Sequence, residues 1–215
     1  GFILFKRNIK DVEQLVALTN ALKAANSNNK IPLFISVDEE GGIVSRMPEE
    51  IMKLPSSGSL GRLGNEGLSY EVGKILGYQL KLFGFNMNFA PILDINSNPQ
   101  NPVIGERAFG ADKELVSKLG IQTMKGIQSQ GVISVVKHFP GHGDTSVDSH
   151  VGLPRVDHGL DRLREFELVP FTRALENGAD AVMVAHILFP QIDSDNPSTL
   201  SRAIITDILK GEMGF

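Results

Sequence analysis

VISVVKHF, residues 132–139, is the stretch on which the fold turns: a short apolar run, rich in β-branched side chains, that ends in two ionisable residues, Lys137 and His138. A half-exposed strand alternates polar and apolar residues, so a continuous run of this length reads as a strand buried on both faces. The pattern recurs along the chain. LFISV is followed by Asp38, FAPIL by Asp94 and VMVA by His186. Strands are therefore expected at Phe2–Phe5, Leu33–Val37, Phe85–Phe89, Val132–Val136 and Ala181–Ala185. Between them, helical candidates begin near Asp11, Ser69, Asp112 and Asp161. In the first of these, Val12, Leu15, Val16, Leu18, Leu22 and Ala25 form a stripe at helical spacing, with Asp11 as its cap.

Strands alternating with helices force parallel pairing through crossovers, which is the α/β class. Ionisable groups delivered at successive strand C-termini are how a TIM-type (β/α)8 barrel builds its active site. A doubly wound sheet also places ligands there. It usually does so with a GxGxxG turn or a phosphate-cradling loop, and the chain has neither. One domain is expected over residues 1–215.

The bulk numbers narrow the function classes. No apolar run reaches the roughly 18 residues of a membrane span. A formal net charge of -4 leaves no basic footprint for nucleic acid. The absence of cysteine removes disulfides, thiolate metal sites and a cysteine nucleophile together. GFILF lacks the basic start of a signal peptide, and Gly214 and Phe215 follow an amphipathic segment directly. Both ends are expected to be internal to a longer chain.

Residues 137–150, KHFPGHGDTSVDSH, hold three histidines (His138, His142, His150) and two aspartates (Asp144, Asp148). Pro140, Gly141 and Gly143 exclude a regular helix. On the residues alone three readings stand: a metal site, an acid/base loop, or a plain DSH turn. His138 and His142 have the i, i+4 spacing of a helical zinc pair, but Pro140 and Gly141 break the helix that would make it useful. Acid/base work needs a group that gives and takes protons near neutral pH, which histidine does. His150 fits that role with Asp148 as its orienter, since a carboxylate on one ring nitrogen fixes the tautomer.

GFILFKRN, VDEEGGIVSR, NFAPILDINSNPQNPVIGERAFG, KHFPGHGDTSVDSHVGLP and MVAHILFP occur in this order. Together they resemble the N-terminal barrel domain of family 3 glycoside hydrolases, in the β-N-acetylglucosaminidase (NagZ-like) branch. The GHGDTxxDSH continuation is the specific part. The resemblance implies a retaining exo-β-N-acetylglucosaminidase in which His150 is the proton donor and then the base, with Asp148 as its dyad partner. It also implies that Asp38, Arg46, Arg107, Lys137 and His138 hold the hydroxyls and acetamido group of the terminal sugar. By composition alone, Arg46 and Arg107 could equally be surface ion-pair residues and Asp38 a loop cap. Glu39, Glu40 and Glu106 read as structural groups or as supports for the site residues, Asp94 and His186 as groups shaping the pocket, and His142 as a brace for the loop.

No cofactor is implied, and the partner is a small carbohydrate: a GlcNAc-terminated muropeptide or a chito-oligosaccharide. The chain has no Trp and two Tyr, so stacking platforms for a long polysaccharide are scarce and a pocket for one sugar fits better. By the same resemblance, the first strand, the last two strands and the nucleophilic Asp lie outside these residues, and the isolated polypeptide is expected to have little activity. Asp207 reads as a solvated group on the polar side of a helix. The branch's Gram-positive members are often exported, which favours the cell envelope or exterior. Two alternatives are a metal-dependent hydrolase built on the His/Asp loop and a non-catalytic sugar-binding barrel.

Overall fold

The computed structural model describes residues 1–147 and 152–215. The five expected strands are all present: β1 (Phe2–Leu4), β2 (Ile35–Val37), β3 (Met87–Asn88), β4 (Ile133–Phe139) and β5 (Ala181–Val184). They form one parallel sheet in the order β1-β2-β3-β4-β5. In a doubly wound sheet the order reverses at a switch point; here each strand pairs with its successor, as around the wall of a TIM-type barrel. β4 runs three residues beyond its sequence-predicted end, so Lys137 and His138 lie within the strand rather than after it.

The helices are α1 (Val12–Ala25), α2 (Ser57–Leu63), α3 (Glu66–Leu82), α4 (Lys113–Gln128), α5 (Leu160–Glu165) and α6 (Val169–Glu176); a π-wound segment, Ala203–Glu212, follows β5. Asp11 caps α1 as expected, and Asp112, near which a helix was expected to begin, caps α4; they accept from the amides of Gln14 and Leu115 at 2.8 Å each. Two boundaries differ from the sequence reading. α3 starts before Ser69, capped by Asn65, whose side chain accepts from Leu68 N–H. The helix expected near Asp161 is broken into α5 and α6, with Pro170 in the first turn of α6. Within α1, Leu15 is buried, whereas Ala25 faces solvent. Asp207 is exposed, as its place opposite buried Ile204, Ile208 and Leu209 requires.

α4 joins the two halves of the core. Val116, Leu119 and Ile127 pack into the cluster under β1–β3, and Ile121 and Met124 into the cluster under β4 and β5. It lies so close to α3 that a Cβ on Gly126 would overlap the carbonyl oxygen of Tyr70. Alanine is worth about 1 kcal/mol over glycine inside a helix, but overpacking against backbone costs about 1–3 kcal/mol. Gly126→Ala is therefore expected to lower the unfolding free energy measured in urea, and a stabilised variant would contradict this packing.

Candidate active site

The C-terminal ends of the strands converge on a cavity of about 420 Å³. Asp38, Arg46, Arg107, Lys137 and His138, the five residues expected to hold a sugar, all line it. So do Glu40, His142 and His186.

Lys137 organises one wall. Consecutive residues of a regular strand face opposite sides, yet Lys137 and His138 line the same cavity, because the β4–β5 register shifts between Lys137 and Phe139. The peptide between Lys137 and His138 is cis. The Lys137 side chain is 1% exposed, and its ammonium meets Asp38 Oδ1 at 2.8 Å and Glu40 Oε1 at 2.5 Å. Burying a charge this fully requires such partners. Glu40 in turn accepts two hydrogen bonds from Arg107, from Nε at 2.9 Å and Nη2 at 2.8 Å. Burial pushes the Glu40 carboxyl up, but the Arg107 hydrogen bonds and the Lys137 charge outweigh it, and it sits below the ordinary carboxylate value. Arg107 Nη1 also donates to Val103 O at 3.0 Å. Three of its five N–H groups are thus committed within the protein, and two remain for a ligand.

The neighbouring loop holds Arg46. β2 ends at Val37, and Asn88 extends the pairing with its side chain: Oδ1 accepts from Glu39 N–H at 3.1 Å and Nδ2 donates to Glu39 O at 2.8 Å. Gly41 and Gly42 then turn the chain at φ 82° and 58°, values that disfavour any side chain. Glu39 carries the loop back by accepting from Arg46 N–H at 2.7 Å. Its burial raises its pKa against that hydrogen bond.

Asp94 supports the opposite wall. It is fully buried, and its carboxylate meets His138 Nδ1 at 2.6 Å and accepts from the amides of His138 and His142, the latter at 2.6 Å. Burial pushes Asp94 up, but the charge and hydrogen bond of His138 and the amide of His142 hold it below the usual aspartate value. A carboxyl depressed on folding adds stability that is complete above its unfolded pKa of about 3.9 and lost as pH falls through its folded value. Asp94→Asn turns an amide NH₂ towards groups that need acceptors. It is expected to cost about 2–3 kcal/mol and to flatten the fall in urea midpoint between neutral and acid pH; an unchanged acid profile would remove Asp94 from this role.

His142, read from the sequence as a brace for the loop, is buried. Its Nδ1 lies 2.6 Å from Thr145 Oγ1, and Asn101 Nδ2 donates to its carbonyl at 2.8 Å. Its burial lowers the imidazole pKa. Further on, Asp144 pairs with His158 Nε2 at 2.7 Å and accepts from Ser97 Oγ at 3.0 Å. Asp148 and His150 lie outside the described residues. Among the described residues no group of three or more His, Asp or Glu is placed to hold a metal ion, and no helix is long and apolar enough to cross a membrane.

Sequence reasoning had Glu40 as a supporting group and Asp94 as one that shapes the pocket, and passed over Asn88. Asp94 carried a signal, its strand-end position. Asn88 carried none, because it works by extending the pairing of β2 beyond Val37.

The glycosyl hydrolase family 3 N-terminal domain matches residues 1–215. The β-hexosaminidase A of Pseudoalteromonas piscicida is 40% identical across the whole chain, which spans 39% of that protein. Among solved structures, a family 3 β-N-acetylglucosaminidase from Paenibacillus sp. str. FPU-7 superposes with a TM-score of 0.95 at 48% identity, over 99% of this chain and 41% of that one. NagZ from Neisseria gonorrhoeae, in complex with N-trifluoroacetyl-D-glucosamine, gives 0.94 at 37% identity, over 100% of this chain and 64% of that one. The chain spans less than two thirds of each of these relatives.

Proposed function

Because the chain belongs to glycosyl hydrolase family 3 through its N-terminal domain, we propose that it carries the sugar-gripping and proton-transferring groups of a retaining exo-β-N-acetylglucosaminidase. The observation that supports this most is the convergence of Asp38, Arg46, Arg107, Lys137 and His138 on one cavity of about 420 Å³. That volume suits one sugar unit, since small-ligand pockets run from about 300 Å³ upwards.

In this reading Asp38, Lys137 and the two uncommitted N–H groups of Arg107 hold the hydroxyls of the terminal N-acetylglucosamine. His138, fixed by Asp94, presents Nε2 to the ring. His150, oriented by Asp148, protonates the departing oxygen and then deprotonates the acceptor. The nucleophile that forms the covalent glycosyl-enzyme is a carboxylate from outside residues 1–215. Asp38 and Glu40 cannot serve: Lys137 pairs with both, and Arg107 grips Glu40 with two bonds. The substrate class is a muropeptide of the cell wall, cut from its non-reducing end.

The test follows an aryl β-N-acetylglucosaminide with the native protein, reading the first sugar released by proton NMR, with and without a chelator. Release of the β-anomer at a chelator-insensitive rate is expected. First release of the α-anomer would overturn double displacement. Loss of rate with chelator would favour a metal-dependent hydrolase, and sugar binding without turnover a binding barrel.

A further inference from the structure

Asn101 is buried and does not line the sugar cavity, yet both polar atoms of its side chain are used. Oδ1 accepts from the amides of Val103 at 2.8 Å and Ile104 at 2.9 Å. Nδ2 donates to the carbonyls of His142 at 2.8 Å and Gly143 at 3.1 Å, with Thr145 Oγ1 at 3.3 Å. Two amide donors face one end of the side chain and two carbonyls the other, so one orientation satisfies all four. Ionised aspartate would lose the donor, leucine would lose both functions, and glutamine is one methylene too long.

Each end leads to a residue that does line the cavity. On the acceptor side, Val103 O takes a hydrogen bond from Arg107 Nη1 at 3.0 Å, and Ile104 O takes one from the Arg107 amide at 2.8 Å. On the donor side, the His142 amide donates to Asp94 Oδ1 at 2.6 Å, and Asp94 Oδ2 meets His138 Nδ1 at 2.6 Å. A continuous series of hydrogen bonds therefore runs from Arg107 on one wall, through Asn101, to His138 on the other. Ser97 and Asn98 also hold the 143–145 segment, through Asp144, Gly143 and Thr145. Among the described residues, neither bonds Val103, Ile104 or Arg107, so neither connects the two walls.

We propose that Asn101 is a positioning residue for the reaction: it fixes the separation of Arg107 and His138 and so holds the cavity to the width of one sugar. The inference rests on the glycosidase reading above. Misplacing a binding group by about 1 Å can cost on the order of a hundredfold in rate, so a residue that bonds two loops at once governs turnover without meeting the substrate.

Asn101→Asp isolates the donor. The introduced carboxyl keeps the oxygen that the Val103 and Ile104 amides need. Ionised, it turns a second acceptor towards the His142 and Gly143 carbonyls; protonated, it donates again. On an aryl β-N-acetylglucosaminide, kcat/KM of the variant is expected to be at least about tenfold below that of the native protein at about pH 7.5, the scale of one misplaced hydrogen bond. The ratio of the two should narrow at least about threefold by about pH 5, as the buried carboxyl takes up its proton. Ser97→Ala removes a hydrogen bond from Asp144 but leaves the series intact, and should stay within about twofold of native at both pH values. Hydrogen exchange on the unaltered protein covers the case of a variant that does not fold. N-acetylglucosamine, at a concentration that fully inhibits hydrolysis, should slow exchange of the Val103, Ile104 and His142 amides together. A deficit independent of pH, an equal loss in Ser97→Ala, or amides not slowed by the sugar would overturn the positioning role alone. Absence of turnover by the native protein would overturn the glycosidase reading and this role with it.

Discussion

Lys137→Met is expected to lower the unfolding free energy by about 3–5 kcal/mol, the usual cost of removing one partner from a buried ion pair, and to reduce kcat/KM by at least about a hundredfold. Methionine nearly matches lysine in length, so the substitution removes charge without opening a large void. What it leaves behind is the problem: Asp38 and Glu40, which the ammonium had held together at 2.8 Å and 2.5 Å, face each other without it. Arg107 still grips Glu40, and Asp38, with 24% of its side chain exposed, can recover some hydration; both effects place the loss towards the lower end. The activity loss has a separate origin. A charge-assisted hydrogen bond to a sugar hydroxyl is worth about 1.5–3 kcal/mol, and misplacement of Asp38 adds to it. The double variant Lys137→Met/Glu40→Gln separates the two. Removing the second charge should restore a measurable part of the urea stability, with a coupling of about 1–3 kcal/mol, and none of the activity. Strictly additive stability losses would mean that Lys137 and Glu40 do not share one electrostatic site.

How far such a network is legible beforehand depends on which interactions are local in sequence. The five strands were readable because a strand buried on both faces must be apolar throughout, and Ile35, Val37, Val135 and Val136 are all buried. The cap at Asp11 was readable because a cap acts within three residues. The start of α3 was misplaced because Asn65 does the same job one turn before Ser69. The limit appears where contacts cross the sheet. Lys137 and Asp38 are separated by 99 positions, and nothing in either segment indicates that Glu40 is shared between Lys137 and Arg107. Family resemblance supplied five residues that line one cavity. It did not supply the mutual neutralisation that lets a lysine be buried beside them.

The last expectation concerns His150, whose assignment rests on the family resemblance of its segment. A general acid is worth about 10²–10⁴ in rate when the departing oxygen needs a proton. His150→Ala should therefore lower kcat/KM by that factor for alkyl and sugar leaving groups, whose oxygens are strongly basic. For a dinitrophenyl glycoside, which departs without a proton, kcat/KM should fall less than about tenfold, because that parameter covers steps only through formation of the glycosyl-enzyme. The same histidine acts as base in the second step, so kcat on the dinitrophenyl substrate should still fall steeply. KM should fall with it as the covalent intermediate accumulates, and a burst of dinitrophenol should precede slow turnover. Small anionic nucleophiles such as azide, which need no base, should restore kcat and yield the β-glycosyl product. Asp148→Asn should show the same dependence on leaving group at smaller amplitude, since it acts through the tautomer and charge of His150. A uniform loss in kcat/KM across leaving groups, without a burst, would mean that His150 binds or supports rather than transferring the proton.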